Sequence, residues 1–329
     1  MEITSNPPSN ASIIGFLRER GFEEKLIHQM LQKCKRLQTA EKERASENWY
    51  YLKSIGIEER KLPSVVSKCP RILTLGMNEK LVPMVECLTT LAKKPTDVAL
   101  VITKFPHILA HSVEEKLCPL LAFFEVLGVP EAQLGKLLLL NPRLVSYSID
   151  TKLSQIVEFL TSSIGLNKEG MVGKVLLKNP FIMGYSVEKR LRPTSEFLKT
   201  LGVDLQRVAM NFPEVLCRDV DKILRPNLDF LRTCGLEDAQ IAAIVTGYPL
   251  ILVKSIRNSL EPRIKFLVGV MGREISEVVE CPDFFRHGLK KRLELRQRLL
   301  KQKNVQCSLN EMLQYNHKKF CDKFGLATA

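Results

Sequence analysis

The chain has 329 residues, of which 45% are hydrophobic and 26% charged, and it carries a formal net charge of +13. That apolar content suffices for a core and sets disorder aside, while the cationic surplus points to polyanions (DNA, RNA or an anionic membrane surface) without choosing among them. No apolar run of roughly 18 residues occurs, so no membrane span is predicted, and nine scattered Cys without a CxxC pair argue against a zinc site or a disulfide framework and for reduced intracellular thiols.

Residues 1–12 are polar, with Glu2 and no Arg before Arg18; they read as a short tail or the remnant of a targeting segment and fail as a secretory signal. The first 55 residues then hold a worn copy of a unit that becomes clear later. Lys33-Cys34-Lys35-Arg36-Leu37 matches Lys68-Cys69-Pro70-Arg71-Ile72, with Lys35 where Pro should be, and Trp49-Tyr50-Tyr51-Leu52 stands where later units carry Phe-Leu. Gly21 and Gly56 occupy the glycine position of the unit.

From residue 69 onward a dipeptide ending in Pro closes one apolar helical stretch after another: Cys69-Pro70, Phe105-Pro106, Asn141-Pro142, Asn179-Pro180, Phe212-Pro213, Tyr248-Pro249 and Cys281-Pro282. Successive prolines lie 36, 36, 38, 33, 36 and 33 residues apart. Eleven residues after each stands a Leu (81, 117, 153, 191, 224, 260, 293), and thirteen after it a second Pro in five of the seven, with Gln155 and Leu295 as the exceptions. Phe follows at offset 17 in five units, and a Gly at 22 or 23 (128, 165, 202, 235, 272). Periods of this length with fixed internal offsets mark an all-α solenoid of about eight degenerate helix-pair repeats.

One unit shows the physics. Glu131 to Leu140 is predicted as helix A, and Asn141-Pro142 ends it because the residue before Pro is pushed out of the α region. Arg143 to Asp150 is a connector whose Leu144 and Val145 plug the gap between units. Helix B runs from about Lys152 to Ile164, with Gly165 as a left-handed stop. Elsewhere helix B is expected to open at the second Pro, where a missing N–H costs nothing, and Ser112-Val113-Glu114-Glu115 reads as a capping box or 3₁₀ turn. Beyond Gln302 the pattern stops, and 304–329 reads as a polar, partly helical cap or tail, leaving 13–303 as a single solenoid domain.

These features resemble the mitochondrial transcription termination factor (mTERF) family. The carriers are the Pro step, the connector Ser112 to Leu117 and its copy Ser186 to Leu191, and the Pro-x-x-x-Phe-Leu helix with its terminal Gly, over residues 13 to 300. The resemblance implies a curved, left-handed superhelix of three-helix modules with short 3₁₀ turns, binding nucleic acid along a positive surface as a monomer. It implies a role in chloroplast and/or mitochondrial gene expression, alongside organelle transcription or RNA-processing proteins, with no membrane partner and no cofactor. Two units lack the second Pro and no long targeting presequence is present, so localisation rests on the resemblance.

Basic residues recur near the start of helix B, and the candidate nucleic-acid contacts are Lys116, Lys152, Arg190, Arg192, Lys222, Arg225, Arg263, Lys291, Arg292 and Arg296. Stacked repeats would bring such offsets into one ridge able to follow a phosphate backbone; ordinary solvated cations are the alternative. The densest stretch, Arg286 to Lys303, has Glu294 as its one acid, and on a helix Arg292, Arg296 and Lys303 fall near one face. Arg71, Arg143, Arg218 and Lys254 follow helix A closely, where they complement helix-end carbonyls as readily as they would bind phosphate. His107 and His111 straddle a connector without a third ligand, and neither a P-loop nor an HExxH or GxSxG motif is present, so neither metal nor catalysis is expected. Double-stranded DNA with transcription termination, RNA with splicing, tRNA maturation or ribosome assembly, and a protein scaffold with an acidic partner all remain open on the residues alone.

Overall fold

The computed structural model describes residues 12–167 and 170–325, all in helices, turns and connectors, with no strand among them. The expected tail at 1–12 therefore lies outside the described residues apart from Ser12. The chain divides into two compact units, one made of 1–161 with 167–184 and the other of 162–166 with 185–329. Each is a run of repeats, and the division falls inside the fifth.

The Pro step governs every repeat. All seven residues before Pro sit at φ between −144 and −132 and ψ between 52 and 82, off the helical region, as the Pro ring requires. The pre-Pro carbonyl then accepts an N–H three residues on, as in Ile108 to Phe105 at 3.1 Å, and a short turn follows, 3₁₀ in six repeats and α-helical at Pro213–Leu216. In the worn repeat Cys34 takes φ −132 and ψ 88 although Lys35 follows it, so packing of Leu37, fully buried, imposes the same kink without proline. The two residues after Arg71, His107 and Arg143 (Ile72-Leu73, Ile108-Leu109 and Leu144-Val145) are buried to within 2% and fill the space between helices.

Helix B begins earlier than expected. Residues such as Val113–Leu117 form a widened π turn in which the Leu117 N–H reaches the Ser112 carbonyl, and the α-helix Cys118–Val126 continues directly from it. The 3₁₀ turn expected before helix B thus belongs to the Pro step instead. Ser112 does cap, accepting from the Glu115 N–H at 3.3 Å. The second Pro is not the cause of the widening, because Ile149–Leu153 and Leu289–Glu294 make the same turn ahead of Gln155 and Leu295. What all seven share is the Leu at offset eleven, which is 0% exposed in every case. The wide turn places that Leu in the core, and Pro is tolerated just behind it.

Helix B ends on glycine. Gly128 has φ 82, and the next N–H, from Val129, reaches back to the Phe124 carbonyl at 3.0 Å while Val129 itself is buried. That is the left-handed stop with its hydrophobic latch. Helix A two repeats on packs closely against such a helix-B end. A Cβ at Gly135 would meet the Leu91 carbonyl oxygen at 1.9 Å, and Gly173 donates its N–H to the Leu127 carbonyl at 2.9 Å.

A polar staple ties neighbouring repeats. Asn48 in the first unit donates to the carbonyls of Ile72 and Leu75 at 2.8 and 2.9 Å. In the second unit the residue fourteen after Pro does the same. Thr194 donates to Arg218 O, Asn227 to Ile251 O and Lys254 O, and Arg263 to His287 O. The last staple, Arg296, donates to Met312 O and Tyr315 O in the C-terminal cap, whose helices are Leu309–Leu313 and His317–Phe324. Buried carbonyls at the end of each turn need donors, and this position supplies them.

Candidate nucleic-acid interface

Because the second and third residues after each Pro point inward, the residue directly after Pro faces solvent. Three residues earlier, the last turn of helix A presents another side chain on the same edge. In the first unit these two rows are mostly basic: Lys33, Lys68, Lys104 and Lys178 two before Pro or its equivalent, and Arg36, Arg71, His107 and Arg143 one after, with the exposed apolar Leu140 and Phe181 at the two remaining positions. All eight basic residues are exposed. Among the described residues, none of Lys33, Lys68, Lys104, Arg36, Arg71 and Arg143 is paired with a carboxylate. In the second unit the same two offsets carry Asn211, Gly247, Glu280 and Glu214, Leu250, Asp283. The connector edge is therefore a cationic strip in the first unit, and its register is lost in the second.

Part of that strip closes into a groove of ≈ 780 Å³, walled by Lys33, Lys68, Arg71 and Arg143, with Phe105 and Tyr147 in its lining. No Asp or Glu lines it. A neighbouring groove of the same unit is mixed, with Glu58 and Asp97 beside Lys61. His107 stacks on Phe105 with ring centroids 5.4 Å apart, and His111 Nε2 lies 3.1 Å from Ser146 Oγ. Burial, reinforced by Lys116, His107 and Arg71, holds His111 below the ordinary imidazole range. The guanidinium groups of Arg71 and Arg143 make no hydrogen bond to helix-end carbonyls among the described residues, so the capping role open to them in the sequence has no contact behind it. Lys254 instead lies over the Tyr248 ring at 5.6 Å.

The helix-B candidates fare differently. Lys116, Lys222 and Lys291 are exposed, and Lys152 is half-buried, with burial lowering its pKa. Arg190 is paired with Asp219 at 2.6 Å, Arg192 with Glu188 at 3.1 Å, and Arg225 with Asp221 at 3.2 Å while lying over Phe197. Such pairs cancel much of the local field that a phosphate would feel. Three candidates have donors engaged inside the protein. Arg296 is 2% exposed, stacked over Phe320 at 4.3 Å, and its donors are taken by the cap. Arg292 donates to Leu313 O and Tyr315 O at 2.7 and 2.8 Å. Arg263 spends Nε and one terminal nitrogen on His287 O, Ser259 O and Ser259 Oγ. The three residues of the face expected from Arg292, Arg296 and Lys303 part company: Arg296 is buried, Arg292 is half-buried against the cap, Lys303 is exposed past the helix end at Gln302, and the exposed cations within the helix are Lys290, Lys291, Arg298 and Lys301.

Sequence reading singled out Arg71 and Arg143 but missed the strip they belong to, because its residues change type. A Lys, an Arg and a His at two offsets from Pro look unrelated until the kink sets both offsets on one edge. The signal was the lysine two before Pro in three of the first four Pro repeats. Among the described residues no group of three or more His, Cys, Asp or Glu could hold a metal ion, and no single helix is long and apolar enough to cross a membrane.

The family model described as mTERF matches residues 13–321. A curated relative, the transcription termination factor MTERF6, chloroplastic/mitochondrial, of Arabidopsis thaliana, is 61% identical over 332 residues, covering 99% of this chain and 98% of that protein.

Proposed function

Since the chain belongs to the mTERF family, whose members are nucleic-acid-binding factors of organellar gene expression, we propose that it binds double-stranded DNA in chloroplasts and/or mitochondria and acts there in transcription termination. The name of the Arabidopsis relative supports both the process and the compartments. The observation that carries the reading is the cationic strip on the connector edge of the first unit, with its acid-free groove. Phosphates would meet Lys33, Lys68, Arg71 and Arg143 in the groove, none of them paired with a carboxylate among the described residues, which is the condition for counterion release to drive binding. Lys116 and Lys152 join the strip from the neighbouring π turns of the same unit. In the second unit the exposed Lys222 and Lys291 supply weaker, backbone-only contact, and Arg190, Arg192 and Arg225 engage phosphate once it competes with their carboxylates.

This surface supports regulation rather than catalysis. It offers backbone contact and groove exclusion, and termination requires a bound obstacle more than a reacting group. The test is anisotropy titration of a short duplex and of RNA of the same sequence across a salt series. Affinity for the duplex should fall steeply as salt rises, with the log–log slope about one unit shallower for each phosphate-contacting Lys or Arg removed. Tighter binding of the RNA than of the duplex would overturn the DNA assignment and move the protein to splicing or tRNA maturation.

A further inference from the structure

The groove of the first unit holds two groups that electrostatic attraction alone leaves idle, His111 and Ser146. His111 follows the 3₁₀ turn Pro106–Ala110, and Ser146 closes the next one, Pro142–Ser146, with 3.1 Å between Nε2 and Oγ. The ring is half-buried. Every charged group that faces it is cationic when ionised: Lys116 from its own helix B, His107 from its own turn and Arg71 from the preceding repeat. Lys33, Lys68 and Arg143 wall the same groove, and no carboxylate reaches in from any of these elements. A proton on His111 therefore has no counter-charge in the free protein, although the site is built from a hydrogen-bonded ring at the floor of a cationic concavity. An anion seated between Arg71 and Arg143 would supply it.

We infer that this groove is a phosphate seat of the nucleic-acid interface in which His111 is the proton-linked contact, neutral in the free protein and protonated as a backbone phosphodiester docks. The step balances simply: imidazole takes one proton from solvent and becomes a second N–H donor, and the phosphodiester stays a monoanion throughout. The inference rests on the reading that the connector edge of the first unit meets nucleic acid. Burial and the surrounding cations keep His111 below its ordinary pKa in the free state. A bound anion reverses the Coulomb part of that shift. The affinity should therefore rise as pH falls toward the imidazole range and level off well above it, by up to about tenfold for each pKa unit gained on binding.

The experiment measures duplex affinity by anisotropy at constant ionic strength from about pH 8 to about pH 6, and proton uptake of the wild-type protein by calorimetry in two buffers of different ionisation enthalpy. Uptake approaching one proton is expected. His111→Gln, which keeps a partner for Ser146, should remove the pH slope, and His107→Asn should keep most of it. Binding that is independent of pH without proton uptake overturns the role of His111, as does an unchanged slope in H111Q, provided Arg71→Glu with Arg143→Glu still weakens binding. Should that charge reversal leave affinity unchanged, the interface reading itself fails, and the phosphate seat with it.

Discussion

At Arg296 a guanidinium stays protonated although burial lowers its pKa to about 10, because two carbonyls and the face of Phe320 stand in for water. The side chain reads in the sequence as one more cation in a basic run. Its position, fourteen after Pro, is where Thr194, Asn227 and Arg263 staple their neighbours, and that equivalence becomes visible only once the carbonyl partners are known. Arg296→Met should lower the unfolding free energy by about 2–4 kcal/mol in denaturant titration, since two buried carbonyls lose their donor. Affinity for a duplex should change by less than about twofold, because a staple is not a phosphate contact. Nearby, burial and then Arg292 push His287 down to about 4, so it stays neutral at physiological pH and adds nothing to a salt-dependent surface. Cys69, driven up to about 11 by burial, is a packing thiol rather than a reactive one.

Among the elements, the π turn and the glycine corner carry the fold. Seven fully buried leucines sit at the end of seven wide turns, two of which have no proline behind them. Leu117→Ala should therefore cost about 2–5 kcal/mol, and Pro119→Ala no more than about 1 kcal/mol, the latter acting mainly through the unfolded chain. Thermal melts of the two variants separate Leu from Pro as the determinant. The sequence displayed both residues with equal clarity and could not rank them, because recurrence does not report burial. Glycines divide in the same way. Gly135→Ala gains helix propensity, yet its Cβ would stand 1.9 Å from the Leu91 carbonyl oxygen, so the variant should melt lower. Gly269, with open space around it, should gain about 0.5–1 kcal/mol on the same change.

Over the whole molecule, charge is distributed by unit rather than by sequence density. Half of the cationic surplus lies in Arg286–Lys303, where Arg292 and Arg296 face a carbonyl-lined cap, whereas the strip from Lys33 to Arg143 is sparse in the sequence and unpaired in space. Reversing Arg71 and Arg143 together should weaken duplex binding by more than tenfold at moderate salt and flatten the salt slope by about two. Neutralising Arg192 and Arg225, already paired with Glu188 and Asp221, should weaken it far less, and side-by-side titrations at several salt concentrations decide the ranking.

The sequence by itself determined the helical-pair repeat, its kinks at proline, its glycine stops and its family, because each depends on backbone constraints that a residue type imposes locally: a ring that forbids the α region, a missing Cβ that permits positive φ, an apolar side chain at a fixed turn of helix. Only the tertiary structure decided which cations are available. Availability depends on whether a carboxylate or a carbonyl of another repeat lies within a few ångströms, and the partner of Arg190 is 29 residues away while that of Arg263 is 24. Separations of that size carry no local signature, so a buried staple and an open phosphate contact are spelled with the same letter until the chain has packed.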